Sequence, residues 1–244
     1  KYIPKNADLV FHWKINPNIL PEYIEHHQDR INKINAKKRT QSIRDSSFKL
    51  IGLDFIKDIS NLAGDYGSLA LFNTNNQLLN DWLLVLEINK EEELKELSGT
   101  QYIDKNVNAN NNLNISGSEI ITKKVNSKKS IYLSIHKEDI LISSNPKIIK
   151  SSINQIENNK LNRKDKHQII QLKKNINDGI LLLEMSPKKI FNILGQEKNL
   201  LDINQTDKLI SSINIDKKKL TLEGILSYNI KAKRPINEIS YDFT

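Results

Sequence analysis

An apolar strand that runs straight into a Pro-started helix occurs three times in this chain, and that unit sets its architecture. Residues Asp8-Leu9-Val10-Phe11-His12-Trp13-Lys14-Ile15 read as a strand, and Asn16-Pro17 follows at once. Asn accepts hydrogen bonds from the free amides of a first helical turn, and Pro presets the backbone angle there. The same order returns at Asp178-Gly179-Ile180-Leu181-Leu182-Leu183-Glu184-Met185 before Ser186-Pro187, and at Asp139-Ile140-Leu141-Ile142-Ser143-Ser144 before Asn145-Pro146. The first two stretches superpose with an offset of 170, Asp8 on Asp178 and Pro17 on Pro187. A shared order of strand, polar cap, Pro and amphipathic helix points to an internal duplication.

The segments between these units fit that idea. The pattern predicts a helix over 20–38, with Ile24, Ile31 and Ile34 on one side, and a weaker helix over 52–62. A hairpin follows: strand Gly67 to Phe72, polar loop Asn73 to Asn80, strand Trp82 to Ile88. Glu91-Glu92-Glu93 suits the positive end of a helix dipole, so 91–98 reads as a short helix. Residues 106–114 are Asn-rich and read as loop; strands are predicted at 118–125, 130–136 and 139–144, and a helix at 146–158. The second half repeats the order, with a helix at 164–176, a strand at 180–185, a helix at 188–194 stopped by Gly195, and a hairpin of Leu209 to Ile215 and Leu220 to Asn229. Residues 231–244 show little pattern.

A doubly wound parallel sheet needs regular strand–helix alternation, and the hairpins break it. The expected fold is therefore α+β: a largely antiparallel sheet with packed helices, built by duplication of a strand–helix–hairpin unit. The expected division is a first repeat over 1–160 and a second, incomplete repeat over 161–244, the two packing as one domain or side by side.

Composition excludes several chemistries. With no Cys there are no disulfides, thiolate catalysis or Cys-based zinc sites. The apolar runs Leu83 to Leu86 and Ile180 to Leu183 are far short of the ~20 residues that cross a bilayer as a helix. The net charge of +8 permits an anionic partner. However, the bases are spread along the chain, in clusters such as Lys37-Lys38-Arg39, Lys123-Lys124, Lys128-Lys129 and Lys217-Lys218-Lys219. No aromatic RNA-binding signature or helix-turn-helix pattern accompanies them, so no nucleic-acid partner is expected.

Chemistry-bearing residues form no complete set in the sequence. Of the five histidines, His12, His26, His27, His136 and His167, two fall on the first predicted helix. There Glu22 and His26 lie one turn apart, with Glu25 and Asp29 on the neighbouring face, but nothing elsewhere completes a four-ligand site. His12 lies in a strand beside Trp13 and reads as a packed or edge histidine. Two Ser-x-x-Lys patterns, Ser186 to Lys189 and Ser144 to Lys147, place Ser before a Pro-started helix. They lack the Ser-Asp-Asn and Lys-Thr-Gly partners of penicillin-binding enzymes and read as caps. Only 8 glycines are present, and no phosphate-binding or dinucleotide-binding Gly pattern occurs; Gly64-Asp65-Tyr66-Gly67 reads as a tight turn from helix to strand. No catalytic, cofactor-binding or metal-binding residue is assigned, no cofactor is expected, and the chain is not expected to be an enzyme.

The order of segments carries a resemblance. Pro4-Lys5-Asn6-Ala7-Asp8-Leu9-Val10 is followed by Gly64-Asp65-Tyr66-Gly67-Ser68-Leu69-Ala70-Leu71, then by Trp82 to Glu93, Gly117-Ser118-Glu119-Ile120, Ile140 to Pro146, and Leu181-Leu182-Leu183-Glu184. Over residues 2–195 this resembles a bacterial family, common in cyanobacteria, known as domain of unknown function 3352. The family's aromatic residue after the helix near 165–175 is replaced here by Ile169-Ile170. The resemblance implies an exported or membrane-anchored protein, in the periplasm or thylakoid lumen, and it assigns no catalytic residue. Lys1 at the start reads as the beginning of a mature or trimmed product whose signal peptide or N-terminal anchor has been removed. The function expected first is a non-catalytic extracytoplasmic interaction or scaffold domain with a protein partner at a membrane surface. A carrier of a small molecule or lipid in an apolar cavity comes second. A hydrolase comes last, since it would have to bring His26, His27 or Ser186 to acids in a cleft.

Overall fold

The computed structural model describes residues 2–4, 6–26, 33–51, 53–74, 77–87, 113–115, 118–126, 129–157, 179–187, 206–216 and 219–228. Ten strands form one antiparallel sheet: β1 (Leu9–Trp13), β2 (Gly67–Thr74), β3 (Gln77–Glu87), β4 (Leu113–Ile115), β5 (Ser118–Asn126), β6 (Lys129–His136), β7 (Asp139–Ser143), β8 (Leu181–Met185), β9 (Thr206–Asp216) and β10 (Lys219–Tyr228). Their spatial order is β10-β9-β8-β1-β2-β3-β7-β6-β5-β4. Helices α1 (Leu20–His26), α2 (Lys33–Leu50) and α3 (Pro146–Glu157) and a π-helical turn, Phe55–Ile59, complete the described elements. The antiparallel α+β architecture is the one the hairpins predict.

β1 is the hinge of the sheet, because β2 pairs on one side of it and β8 on the other. The division expected at residue 160 falls among residues outside the described set, and β8, beyond it, pairs with β1 in the same sheet. The register sets His12 opposite Leu182, the two residues that the 170-residue offset superposes.

Both faces of the central strands are covered, which is why β3 and β7 read as unbroken apolar runs (Trp82 to Leu86, Ile140 to Ile142) instead of alternating. On one face Trp82, Leu84, Leu86, Ile140 and Ile142 pack against Phe48 and Ile51 at the end of α2 and against Phe55, Ile59 and Leu62. On the other, Leu83, Val85 and Leu141 pack against Ile149 and Ile153 of α3 and against Tyr2. The small buried side chains Ser134 and Ser152 lie in the β6 and α3 elements that meet here. Arg44 lies 3.9 Å over the Phe55 ring, and Phe48 meets that ring at 5.1 Å, so the end of α2 and the π-helical turn pack as one layer.

Asn145-Pro146 opens its helix as the sequence predicts, whereas Asn16-Pro17 opens a turn and α1 begins only at Leu20. Asn16 Oδ1 accepts from the Asn18 amide at 2.9 Å, and Asn145 Oδ1 accepts from the Lys147 amide at 3.0 Å. Asn16 also donates to the Ala63 carbonyl at 2.7 Å, which ties its turn to the segment entering β2.

Three boundaries differ from expectation. Residues 73–74 and 77–80, expected as loop, belong to β2 and β3, with Thr74 opposite Gln77, because a ladder of backbone bonds does not require apolar side chains. Residues 113–114, expected as loop, belong to β4, which pairs with β5. The helix expected to end at 38 resumes as α2 up to Leu50, and a π-helical turn replaces most of the helix expected over 52–62. The helices expected at 91–98, 164–176 and 188–194, and the stop at Gly195, lie outside the described residues.

Two glycines are required by close approach. A Cβ on Gly179 would stand 2.4 Å from the Ile213 carbonyl oxygen of β9, and one on Gly67 would stand 2.2 Å from the Trp13 indole. The Gly67 contact is with a side chain, whereas the β9 backbone cannot move without breaking its pairing with β8. Gly179→Ala is therefore expected to cost about 2 kcal/mol or more, read as a drop in the urea midpoint. A change below about 0.5 kcal/mol would show that β9 does not hold this position.

Candidate functional site

Two polar constellations are built into an otherwise apolar sheet face. The first crosses four strands. His12 of β1 sits directly opposite Ser68 of β2, and its Nδ1 is 2.7 Å from Ser68 Oγ. Across β8, Glu184 pairs with Val10, which places it diagonal to His12; its Oε1 is 3.1 Å from His12 Nε2. Such diagonals are within reach of long side chains. Lys208 of β9 donates to Glu184 Oε2 at 3.0 Å. The Glu184 carboxylate is buried, and both its oxygens are thus engaged. Because an ionised carboxylate only accepts, the His12 Nε2 proton points at Glu184, and in the neutral ring Nδ1 accepts from the Ser68 hydroxyl.

This is the hydrogen-bond order of a serine, a histidine and an acid in acyl-transfer enzymes. The surroundings are different. Ser68 lies within a strand paired on both sides, by β1 and by β3, so the backbone amides around it are committed to the ladders. An oxyanion needs free donors beside the nucleophile.

The second constellation lies where α3 ends over the β6–β7 turn. Tyr2 is 1% exposed, and its hydroxyl is 3.0 Å from both the Nδ1 and the carbonyl oxygen of His136. His136 Nε2 is 3.2 Å from Glu157 Oε1. Asp139, buried on β7, is opposite His136. Burial, then the hydrogen bond and charge of Asp139, push the Tyr2 phenol well above its ordinary value. Gln155 of α3 donates to the Ile3 carbonyl at 3.3 Å, a second tie between the N-terminal segment and the helix. Lys137, in the turn, has φ 60, a conformation that usually calls for glycine.

The residues singled out from sequence do not converge. His26 and Glu22 lie on α1; His26 is exposed, and Lys37 of α2 binds Glu22 at 2.8 Å and approaches Glu25 at 3.8 Å. That contact holds the Glu22 carboxyl below its usual range and raises Lys37. His27, Asp29 and His167 lie outside the described residues. The Ser186 amide donates to the Asp8 carbonyl at 3.0 Å, tying β8 to β1. Ser144 does not act as the cap of α3. Its Oγ accepts from the Trp82 amide at 3.0 Å and donates to Asp81 at 3.3 Å, while Asn145 serves as the cap. Gly64 to Gly67 joins the π-helical layer to β2 through a bend at Asp65 instead of the tight turn expected. Among the described residues, no three His, Asp or Glu side chains are arranged to hold a metal ion.

His12 is packed in mid-sheet, not at an edge. Its partner Glu184 escaped the sequence reading, although a signal was present: His12 and Glu184 are polar residues inside otherwise apolar strands.

Among solved structures, crystal form I of TP0453 matches 97% of this chain and 79% of that chain at 11% identity and a TM-score of 0.45. Crystal form III matches 97% and 80% at 10% identity and a TM-score of 0.43. No curated protein matches. Residues 1–241 match the family described as Protein of unknown function (DUF3352), and the chain belongs to that family.

Proposed function

We propose that this chain is a non-catalytic interaction domain that works outside the cytoplasm and engages a protein partner at a membrane surface. The observation that carries the reading is the setting of Ser68, His12 and Glu184. The arrangement most like a catalytic one sits on doubly paired strands, and its acid is shared with Lys208. In that setting it acts as a cross-strand tie that fastens β2, β1, β8 and β9 together. A net charge of +8 supports a contact with an acidic partner or surface.

Two measurements on the full chain test this. A fluorophosphonate probe is expected to leave the purified protein unlabelled; labelling that disappears in Ser68→Ala would overturn the non-catalytic reading. Capture from native membranes is expected to bring down a stoichiometric protein at low salt that is lost at high salt. If the protein instead emerges alone with a bound small molecule, a carrier role takes the place of the scaffold.

A further inference from the structure

The four large apolar side chains that stand exposed among the described residues all fall within residues 19–66: Ile19 at 54%, Ile43 at 67%, Ile56 at 60% and Tyr66 at 55%. Cross-ties make their carriers one layer. Asn16 and Asn18 bind the carbonyls of Ala63 and Ser60, Arg44 donates to the Pro17 carbonyl at 3.1 Å, and Arg44 stacks on Phe55. The layer covers one sheet face with its inner residues and so turns these side chains outward.

Within this layer α2 is the basic element. Residues 33–50 contain six bases (Lys33, Lys37, Lys38, Arg39, Arg44, Lys49) and one acid, Asp45. Lys37 and Arg44 are engaged with Glu22 and Asp45, whereas Lys38, Arg39 and Lys49 are exposed. Arg39 and Ile43 are one turn apart on the exposed side of α2, and Ile56 stands beside exposed Lys57 on the π-helical turn. On that turn Asp54 is exposed and Asp58 half-buried, and both are engaged with the turn's own backbone: Asp54 accepts from the Lys57 amide, and Asp58 accepts from the Asp54 amide.

We infer that this helical layer docks on an anionic phospholipid surface, with Ile19, Ile43 and Ile56 entering the headgroup boundary and Lys38, Arg39, Lys49 and Lys57 meeting lipid phosphates. Aliphatic side chains interleaved with bases gain from acyl chains and anionic headgroups together. A single-stranded nucleic acid would use the bases and leave the isoleucines in water, since its bases stack on aromatic faces. The inference deepens the membrane-surface part of the reading above and adds a lipid contact to it.

The test is flotation of the full chain with vesicles of phosphatidylglycerol and phosphatidylcholine, compared with phosphatidylcholine alone. Binding is expected only to the anionic vesicles. It should fall about tenfold or more in Lys38→Gln/Arg39→Gln and again in Ile43→Ser/Ile56→Ser. All four positions are exposed, so the fold is expected to stand, and far-UV circular dichroism checks it. Loss on charge removal with no change on isoleucine removal would overturn the docking geometry. Equal binding to neutral vesicles, no binding at all, or tighter binding to single-stranded RNA than to anionic vesicles would each overturn the inference. Because the vesicles contain no protein, such a failure leaves the membrane-capture result to decide the proposed function by itself.

Discussion

Glu184→Ala is expected to lower the unfolding free energy by about 3 kcal/mol, which in a chain of this size is a fall in Tm of roughly 6 to 12 °C. The carboxylate is buried and accepts from two cations or potential cations on different strands, His12 and Lys208. Removing it strands both. Lys208 is about one-third exposed and can turn to water; His12, at 23%, is less free to do so. His12→Ala is expected to cost less, about 1 to 2 kcal/mol, because Glu184 keeps its bond to Lys208. Glu184→Gln, which keeps the shape and one acceptor, should fall between wild type and Glu184→Ala. Thermal melts of the three variants decide the matter. If Glu184→Ala melts within a degree of wild type, the chain of contacts from Ser68 to Lys208 contributes nothing to the sheet.

Tyr2→Ala is the second large effect, expected at about 3 to 5 kcal/mol, because the ring is wholly enclosed between the sheet and α3. Tyr2→Phe isolates the hydroxyl. It keeps the ring but leaves the His136 carbonyl and Nδ1 without the phenol, and should cost about 1 to 2 kcal/mol. The pH dependence follows from the raised phenol value. The fold favours the neutral phenol, so this contribution is fully present below the ordinary tyrosine value of about 10 and is lost as pH rises through the folded value. The gap between wild type and Tyr2→Phe should therefore be constant from pH 7 to 9 and shrink above pH 10, as read from urea midpoints. A gap that widens above pH 10 would mean that the folded state holds the phenolate instead.

What could be read from sequence was what local chemistry dictates. Asn16 and Asn145 announce their turns because an Asx side chain and a following Pro have few other conformations to choose. The β6–β7 and β9–β10 hairpins are signalled by apolar runs broken by short charged turns. What escaped was set by distant partners or by the absence of any demand. The stretch from Lys37 to Ser47 shows no apolar period, and among the described side chains of α2 the one that is buried is Phe48, near its end. The Ser68–His12–Glu184 contact joins residues 56 and 172 positions apart, and no local pattern encodes it. Only the odd polar residue in each apolar strand hinted at it.

The place of β1 has a consequence during synthesis. Its first neighbour, β2, begins at Gly67, but its second, β8, begins only at Leu181, 168 residues after Trp13. At ribosomal rates of ~5–20 residues per second, that interval lasts roughly 8 to 34 s. For all that time the nascent chain presents an open strand edge bearing Phe11 and Trp13, the kind of edge that recruits other chains. A holding chaperone would be needed for that interval. Fragments that end before residue 181 are expected to aggregate, while the intact chain closes its own edge.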